Sequence, residues 1–161
     1  PDQDITSQDL VAIYQGTKSR WKNGREIIVH AREKSDSGFL VLENTISGFK
    51  EVYLESQKAN RWTLYFTDQD ANQALATTPD AIGVSDLGMI TTDHLRINPL
   101  KLDGVAPSLH NLANGTYPLS RSLSFIYKEG ALAEETKAFF AFVFSEEGRN
   151  LLRANGYLPV K

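Results

Sequence analysis

Arg32, Ser35, Asp36 and Ser37 crowd into one short stretch that ends in Gly38 and Phe39. A guanidinium offers a planar fork of donors, two hydroxyls add rotatable ones, and a glycine lets backbone approach a ligand closely. These residue types together suit a small oxyanion. What stands on either side strengthens the reading. Ile27, Ile28 and Val29 form a β-branched run that reads as a buried strand, with His30, Ala31 and Arg32 at its end. Beyond Gly38, the apolar residues Phe39, Leu42, Ile46 and Phe49 recur at helical steps. A strand thus delivers Arg32 to a helix start, where unpaired N–H groups and the helix dipole favour negative charge. The plainer alternative is that Asp36 or Ser37 only caps the helix while Arg32 faces solvent, because capping residues are commoner than anion sites.

Other chemistry finds little support. His30, His94 and His110 lie in separate elements, without the spacing of a zinc site. There is no Gly-x-Ser-x-Gly elbow, no Gly-x-Gly-x-x-Gly and no Walker loop. The pairs Glu134-Glu135 and Glu146-Glu147 fall in helix first turns, where the dipole accounts for them. Phe139, Phe140, Phe142 and Phe144 read as core. The expectation is no enzyme, no metal and no cofactor.

The elements that must position Arg32 follow from the pattern. Ser7 is a candidate cap for a helix through Leu10 and Tyr14 that stops at Gly16. Lys18 to Gly24 reads as a loop around Trp21, and Gly48 marks where the helix after Gly38 weakens. Arg61 to Phe66, Asp80 to Ser85, Asn98 to Leu102 and Ser120 to Tyr127 have strand character. Between them, Asp70 caps a helix ending before Pro79, and Ser108 starts a short one ended by Asn114-Gly115. Two helices close the chain, from about Ala131 to Phe144 and from Ser145 to Asn155-Gly156. Strands alternating with helices make this an α/β layered domain.

A chain of 161 residues can bury about two-thirds of its unfolded surface in one ordinary domain. With 17 basic and 20 acidic residues the net charge is -3, and no basic run with interleaved aromatics suggests a nucleic-acid partner. The absence of cysteine removes disulfides and thiolate metal sites, and fits either redox compartment. The longest apolar run, around Ala138 to Phe144, is too short to span a membrane. The sequence starts at Pro1 without a signal-type segment, so it reads as a processed product or an expressed segment.

Several stretches, in order along nearly the whole chain, resemble the phosphate-type substrate-binding proteins of ABC transporters, within the type 2 periplasmic binding fold. They are Ser7 to Gly16 with Trp21, Arg32 to Gly38, Asp80 to Val84, Leu102 to Ser108, Asn114 to Leu119, Phe142 to Gly148, and Gly156 to Pro159. The resemblance implies a layered α/β/α sandwich that closes on a small oxyanion, phosphate first among them. In the family, Arg is followed by Ser-Gly-Thr at a helix start. Arg32, Ser37 and Gly38 match this, Ser35 and Asp36 lie between, and Phe39 stands where threonine is usual.

By the same resemblance, residues 1–118 correspond to the second lobe and 119–161 to a strand and helices that belong with the first. The family's N-terminal lobe is expected to be missing, which leaves half a cleft and apolar C-terminal helices in need of a partner, a homodimer being one solution. The implied ligand residues are Arg32, Ser35, Asp36, Ser37, Gly38 and Phe39. Asp36 repels a bare anion but can accept a hydrogen bond from a protonated one, and it can equally cap the helix or pair with Arg32 or Lys34; capping is favoured. The implied function is extracytoplasmic capture of phosphate or a related oxyanion for an ABC permease, in a periplasmic or extracellular location, with lipid or membrane anchorage of the whole protein open. The alternative is a ligand-free sensor or protein-interaction module with a signalling partner. A phosphoester hydrolase on the same fold is not expected.

Overall fold

The computed structural model describes residues 3–128, 130 and 132–159. The chain opens with β1 (Asp4–Ile5) and α1 (Ser7–Gln15), then reaches β2 (Ile28–Arg32). α2 (Ser37–Thr45), α3 (Phe49–Lys58), β3 (Thr63–Tyr65), α4 (Asp68–Thr77), β4 (Ala81–Ile82) and α5 (Leu87–Thr92) follow. After β5 (Lys101–Leu102) and α6 (Leu109–Ala113), α7 (Glu134–Val143) and α8 (Glu146–Ala154) end the chain.

β2 is the middle strand of a parallel sheet ordered β3-β2-β4, and β1 pairs with β5 in a second parallel ladder. A central parallel strand needs cover on both faces. Accordingly Val29, His30, Ala31 and Arg32 are all buried. His30 stands opposite Thr63 and Arg32 opposite Tyr65, so β3 runs alongside the end of β2 that carries the arginine.

The core is aromatic. Tyr14 from α1, Phe39 from α2, and Phe49 and Tyr53 from α3 are almost wholly inaccessible. Phe39 stacks on Tyr53 with ring centroids 4.5 Å apart, and Tyr14 meets Phe49 edge-on at 5.0 Å. This cluster also fixes β2. The Tyr53 hydroxyl and the Gln57 amide (2.7 Å) both donate to the carbonyl oxygen of Arg32, so α3 holds the strand end in place. Trp21 is buried too, its Nε1 donating to the Asp80 carbonyl at 3.0 Å just before β4.

Several elements differ from the sequence expectation. The periodic run from Phe39 to Phe49 is two helices, because Ile46 is extended and Gly48 takes a left-handed φ of 79°. Phe49 keeps its place in the core by starting α3. The cap of α1 is Thr6, not Ser7, since Thr6 and Asp9 form a reciprocal capping box. Ser7 donates instead to Asp103. α4 likewise begins at Thr67, whose hydroxyl accepts from the Asp70 N–H at 3.1 Å. β1, α3 and α5 had no clear signal in the residue pattern.

The largest departures lie after Leu119. Residues 120–127, expected as a strand, join no ladder, because no other described strand runs beside them to complete the hydrogen bonds. Phe139, Phe142 and Phe144, expected as core, are 51%, 43% and 49% exposed. Phe139 and Phe144 join instead a small surface cluster in which Phe125 lies 4.8 Å from Phe140 and 5.7 Å from Phe139. Among the described residues beyond 119, Gly148 alone is buried. The expected helix start at Ala131 lies outside the described residues.

Candidate functional site

Arg32 ends β2 with 7% of its surface exposed. Its guanidinium is committed on two sides. Nη1 lies 2.7 Å from Asp68 Oδ1 at the start of α4, and Nη2 lies 3.0 Å from Asp36 Oδ2. Nη2 also reaches the Phe66 carbonyl at 3.4 Å. Nε is buried and has no hydrogen-bond partner among the described residues. Burying a charge is costly unless it is paired, and the two carboxylates supply that pairing.

Asp36 does two things at once. Besides pairing with Arg32, its Oδ1 accepts from the N–H groups of Gly38 (3.0 Å) and Phe39 (3.1 Å), which caps α2. The first-turn amides expected to face a ligand at these two residues are therefore occupied by the protein's own carboxylate. The Ser37 N–H remains without a protein partner among the described residues, and the Ser37 hydroxyl accepts from Arg121 Nη1. Ser35 turns outward, donating to Glu33 Oε1 at 2.6 Å.

The side chain of Phe39 does not line the cleft. It is fully buried against Tyr14 and Tyr53, so its difference from threonine alters the core and does not subtract a hydroxyl from the helix start. Gly38 is needed for packing, since a Cβ there would sit 2.9 Å from Val84 Cγ1 and 3.1 Å from Asp36 Oδ1. Of the six residues singled out from sequence, Arg32, Asp36 and Gly38 line a cleft of about 1450 Å³, while Ser35, Ser37 and Phe39 do not.

Three further residues on that cleft went unnoticed in the sequence: Asp68, Asp86 and Arg121. Asp86 repeats the device of Asp36, its Oδ1 accepting from Gly88 N (2.8 Å) and Met89 N (3.2 Å) to cap α5. The shared Asp-x-Gly spacing was a usable signal. Asp68 and Arg121 had none, because only the fold brings them close. Arg121 Nη2 stands 3.7 Å from Asp86 Oδ2, so this one side chain bridges the starts of α2 and α5. Tyr157 closes over α5; a Cβ on Gly88 would collide with its ring. Burial, and then the Asp86 charge, push the Tyr157 phenol above its usual range.

Around the starts of α2, α4 and α5, Arg32 and Arg121 are thus paired with Asp36, Asp68 and Asp86. Such a set disfavours a bare multivalent anion, yet offers both donors and acceptors to an oxyanion that brings a proton of its own.

A strand-loop-helix cradle of this kind has relatives, and the family profile described as a PBP superfamily domain matches residues 1–147. The chain belongs to the PBP superfamily. Within that superfamily it is similar to the phosphate-binding protein PstS 2 of Streptococcus agalactiae, with 34% identity over 117 residues, covering 70% of this chain and 39% of the relative. It is also similar to the phosphate-binding protein PstS of Bacillus subtilis, with 26% identity over 161 residues, covering 98% of this chain and 51% of the relative. The chain thus spans about half or less of these curated relatives.

Solved structures agree on the fold. A phosphate ABC transporter substrate-binding protein from Clostridium perfringens, with bound phosphate, superposes with a TM-score of 0.81 at 24% identity, covering all of this chain and 65% of that one. PstS from Borrelia burgdorferi superposes with a TM-score of 0.66 at 19% identity, covering 99% and 65%. The PBP-like architecture, mixed α/β with parallel sheets, is shared across this chain.

Proposed function

We propose that this chain is the oxyanion-binding part of an extracytoplasmic solute-binding protein that captures phosphate and presents it to an ABC permease. The observation that carries the reading is Arg32: a buried guanidinium at the end of the central strand, beside the start of α2, with Nε still unused. The names of the relatives, phosphate-binding proteins, point to the same ligand. Phosphate approaches Arg32 beside the start of α2, where the helix dipole favours it. Asp36 stays as the cap and accepts the proton that hydrogen phosphate carries. Sulfate is fully ionised at neutral pH and cannot donate it, so the carboxylates select against sulfate.

In this reading residues 1–118 are the second lobe and residues 119–161 belong with the first. The exposed phenylalanines of α7 and the unladdered segment 120–127 support that division, because both need a partner surface. That surface is a further stretch of polypeptide or a second copy of the chain.

A second reading keeps the fold without the ligand, as a sensor or protein-interaction module. The hold of Asp36 on the Gly38 and Phe39 amides is the observation in its favour. A thermal-shift series with phosphate, sulfate, molybdate and tungstate separates the two. Phosphate raises the melting temperature and sulfate does so much less if the chain is a phosphate binder. No shift with any of the four, or equal shifts with phosphate and sulfate, overturns the proposal.

A further inference from the structure

The two arginines nearest the start of α2, Arg32 and Arg121, are held very differently. Arg32 is buried and its outer nitrogens sit 2.7 and 3.0 Å from carboxylates, which leaves Nε as its one nitrogen without a partner among the described residues. Arg121 keeps 28% of its side chain exposed, and its ion pair with Asp86 is stretched to 3.7 Å. A guanidinium has five N–H donors, and at Arg121 one of them reaches the hydroxyl of Ser37 in the first turn of α2. Of these two guanidiniums, Arg121 is therefore the one less committed to carboxylates. The neighbouring Ser85 hydroxyl, next to Asp86 and on the same cleft, is buried without a partner among the described residues.

We infer that Arg121 is a ligand residue for the oxyanion, and that it ties the segment after Leu119 to the occupied site. The inference rests on the phosphate-binding reading and adds a residue to it. Arg121 already touches Ser37, so a modest turn of its side chain exchanges the loose contact with Asp86 for two donors on phosphate. A bidentate guanidinium contact to an oxyanion is shorter and stronger than a pair stretched to 3.7 Å. Arg121 also lies at the root of the extended segment that leads to α7 and α8. Occupancy of the cleft thereby fixes where that segment leaves the α/β body.

Calorimetric titration of the full chain with inorganic phosphate, compared with Arg32→Ala, Arg121→Gln and Asp86→Asn, tests this. Arg121→Gln is expected to weaken phosphate at least about 30-fold, and to flatten the dependence of affinity on NaCl, while the melting temperature without phosphate stays unchanged. Asp86→Asn keeps a capping side chain at α5 and frees Arg121 from its competing partner, so phosphate binds more tightly. If the unaltered chain does not bind phosphate, the phosphate reading and this inference fall together. If it binds, and Arg32→Ala loses binding while Arg121→Gln retains it, only the assignment of Arg121 is overturned. Should Arg121→Gln fail to fold, Asp86→Asn decides alone, and unchanged or weaker affinity there rejects the inference.

Discussion

Arg32 and Asp68 meet at 2.7 Å although 36 residues separate them in sequence. Parallel pairing of β2 with β3 makes this contact, because β3 feeds directly into the loop that starts α4. Asp68 is 43% exposed on its side chain, whereas Asp36, the other partner, is only 9% exposed. The two carboxylates therefore differ in what their loss costs. Asp68→Asn lowers stability by no more than about 1 kcal/mol, as for an exposed pair. It also lifts one negative charge from the cleft, so phosphate affinity rises. Arg32→Ala leaves Asp36 buried with its charge uncompensated and destabilises by about 3–5 kcal/mol, with phosphate binding lost. Urea unfolding and calorimetry on the two variants check both halves.

Phe39 is a core residue that happens to occupy the third residue of α2. Phe39→Ala removes a fully buried ring stacked on Tyr53 and is expected to cost about 3–5 kcal/mol. Phe39→Thr is expected to destabilise and to leave anion affinity no better, since the side chain points away from the cleft. Tighter phosphate binding by the threonine variant would contradict this placement.

His30 makes stability depend on pH. Burial lowers its imidazole from the usual 6.5, and Nδ1 has no partner among the described residues that would favour the charged form. Between 6.5 and the lower folded value, the unfolded chain binds the proton and the folded chain does not. Stability is therefore complete above pH 6.5 and declines as pH falls through that window. Urea midpoints at about pH 7.5 and about pH 5.5 measure the decline, and His30→Gln is expected to flatten it. An equal decline in the variant would place the titrating group elsewhere.

The segment 119–128 has strand composition without strand hydrogen bonds. Its amides are expected to exchange with deuterium far faster than those of β2, which pairs with β4 through Ile28 and Val29 and with β3 from His30 to Arg32. Leu123 and Ile126, 68% and 99% exposed, together with the phenylalanines of α7 give an apolar surface that binds a hydrophobic dye. Ile126→Asp with Phe142→Asp is expected to reduce that signal without changing the urea midpoint. Strong protection of 119–128 in the isolated chain would show that the segment finds a ladder.

Much of the fold follows from local chemistry. The β-branched run ending at Arg32, the Asp-Ser-Gly start of α2, the cap at Ser108 and the stop at Gly16 are each legible, because a cap or a left-handed turn is decided within a few residues. Asp36 capping α2 was readable for that reason. Periodicity alone carried Phe39 to Phe49 through as one helix, since a 3.6-residue pattern continues across the Gly48 break and both helices bury the same face.

What the sequence by itself determined was the type of site: a guanidinium, hydroxyls and a glycine delivered by a strand to a helix start. The tertiary structure decided how that chemistry is divided. It set Asp68 and Asp36 on Arg32, turned Phe39 into the core and Ser35 out to Glu33, and carried Arg121 across 84 residues to Ser37. The Arg32–Asp68 and Arg121–Ser37 contacts depend on strand order and chain path, and no local spacing encodes them, whereas the Arg32–Asp36 pair lies four residues apart and was open to the sequence. The same holds after Leu119, where strand-like and core-like residues stay exposed because a strand needs a neighbour and an apolar helix face needs a second surface.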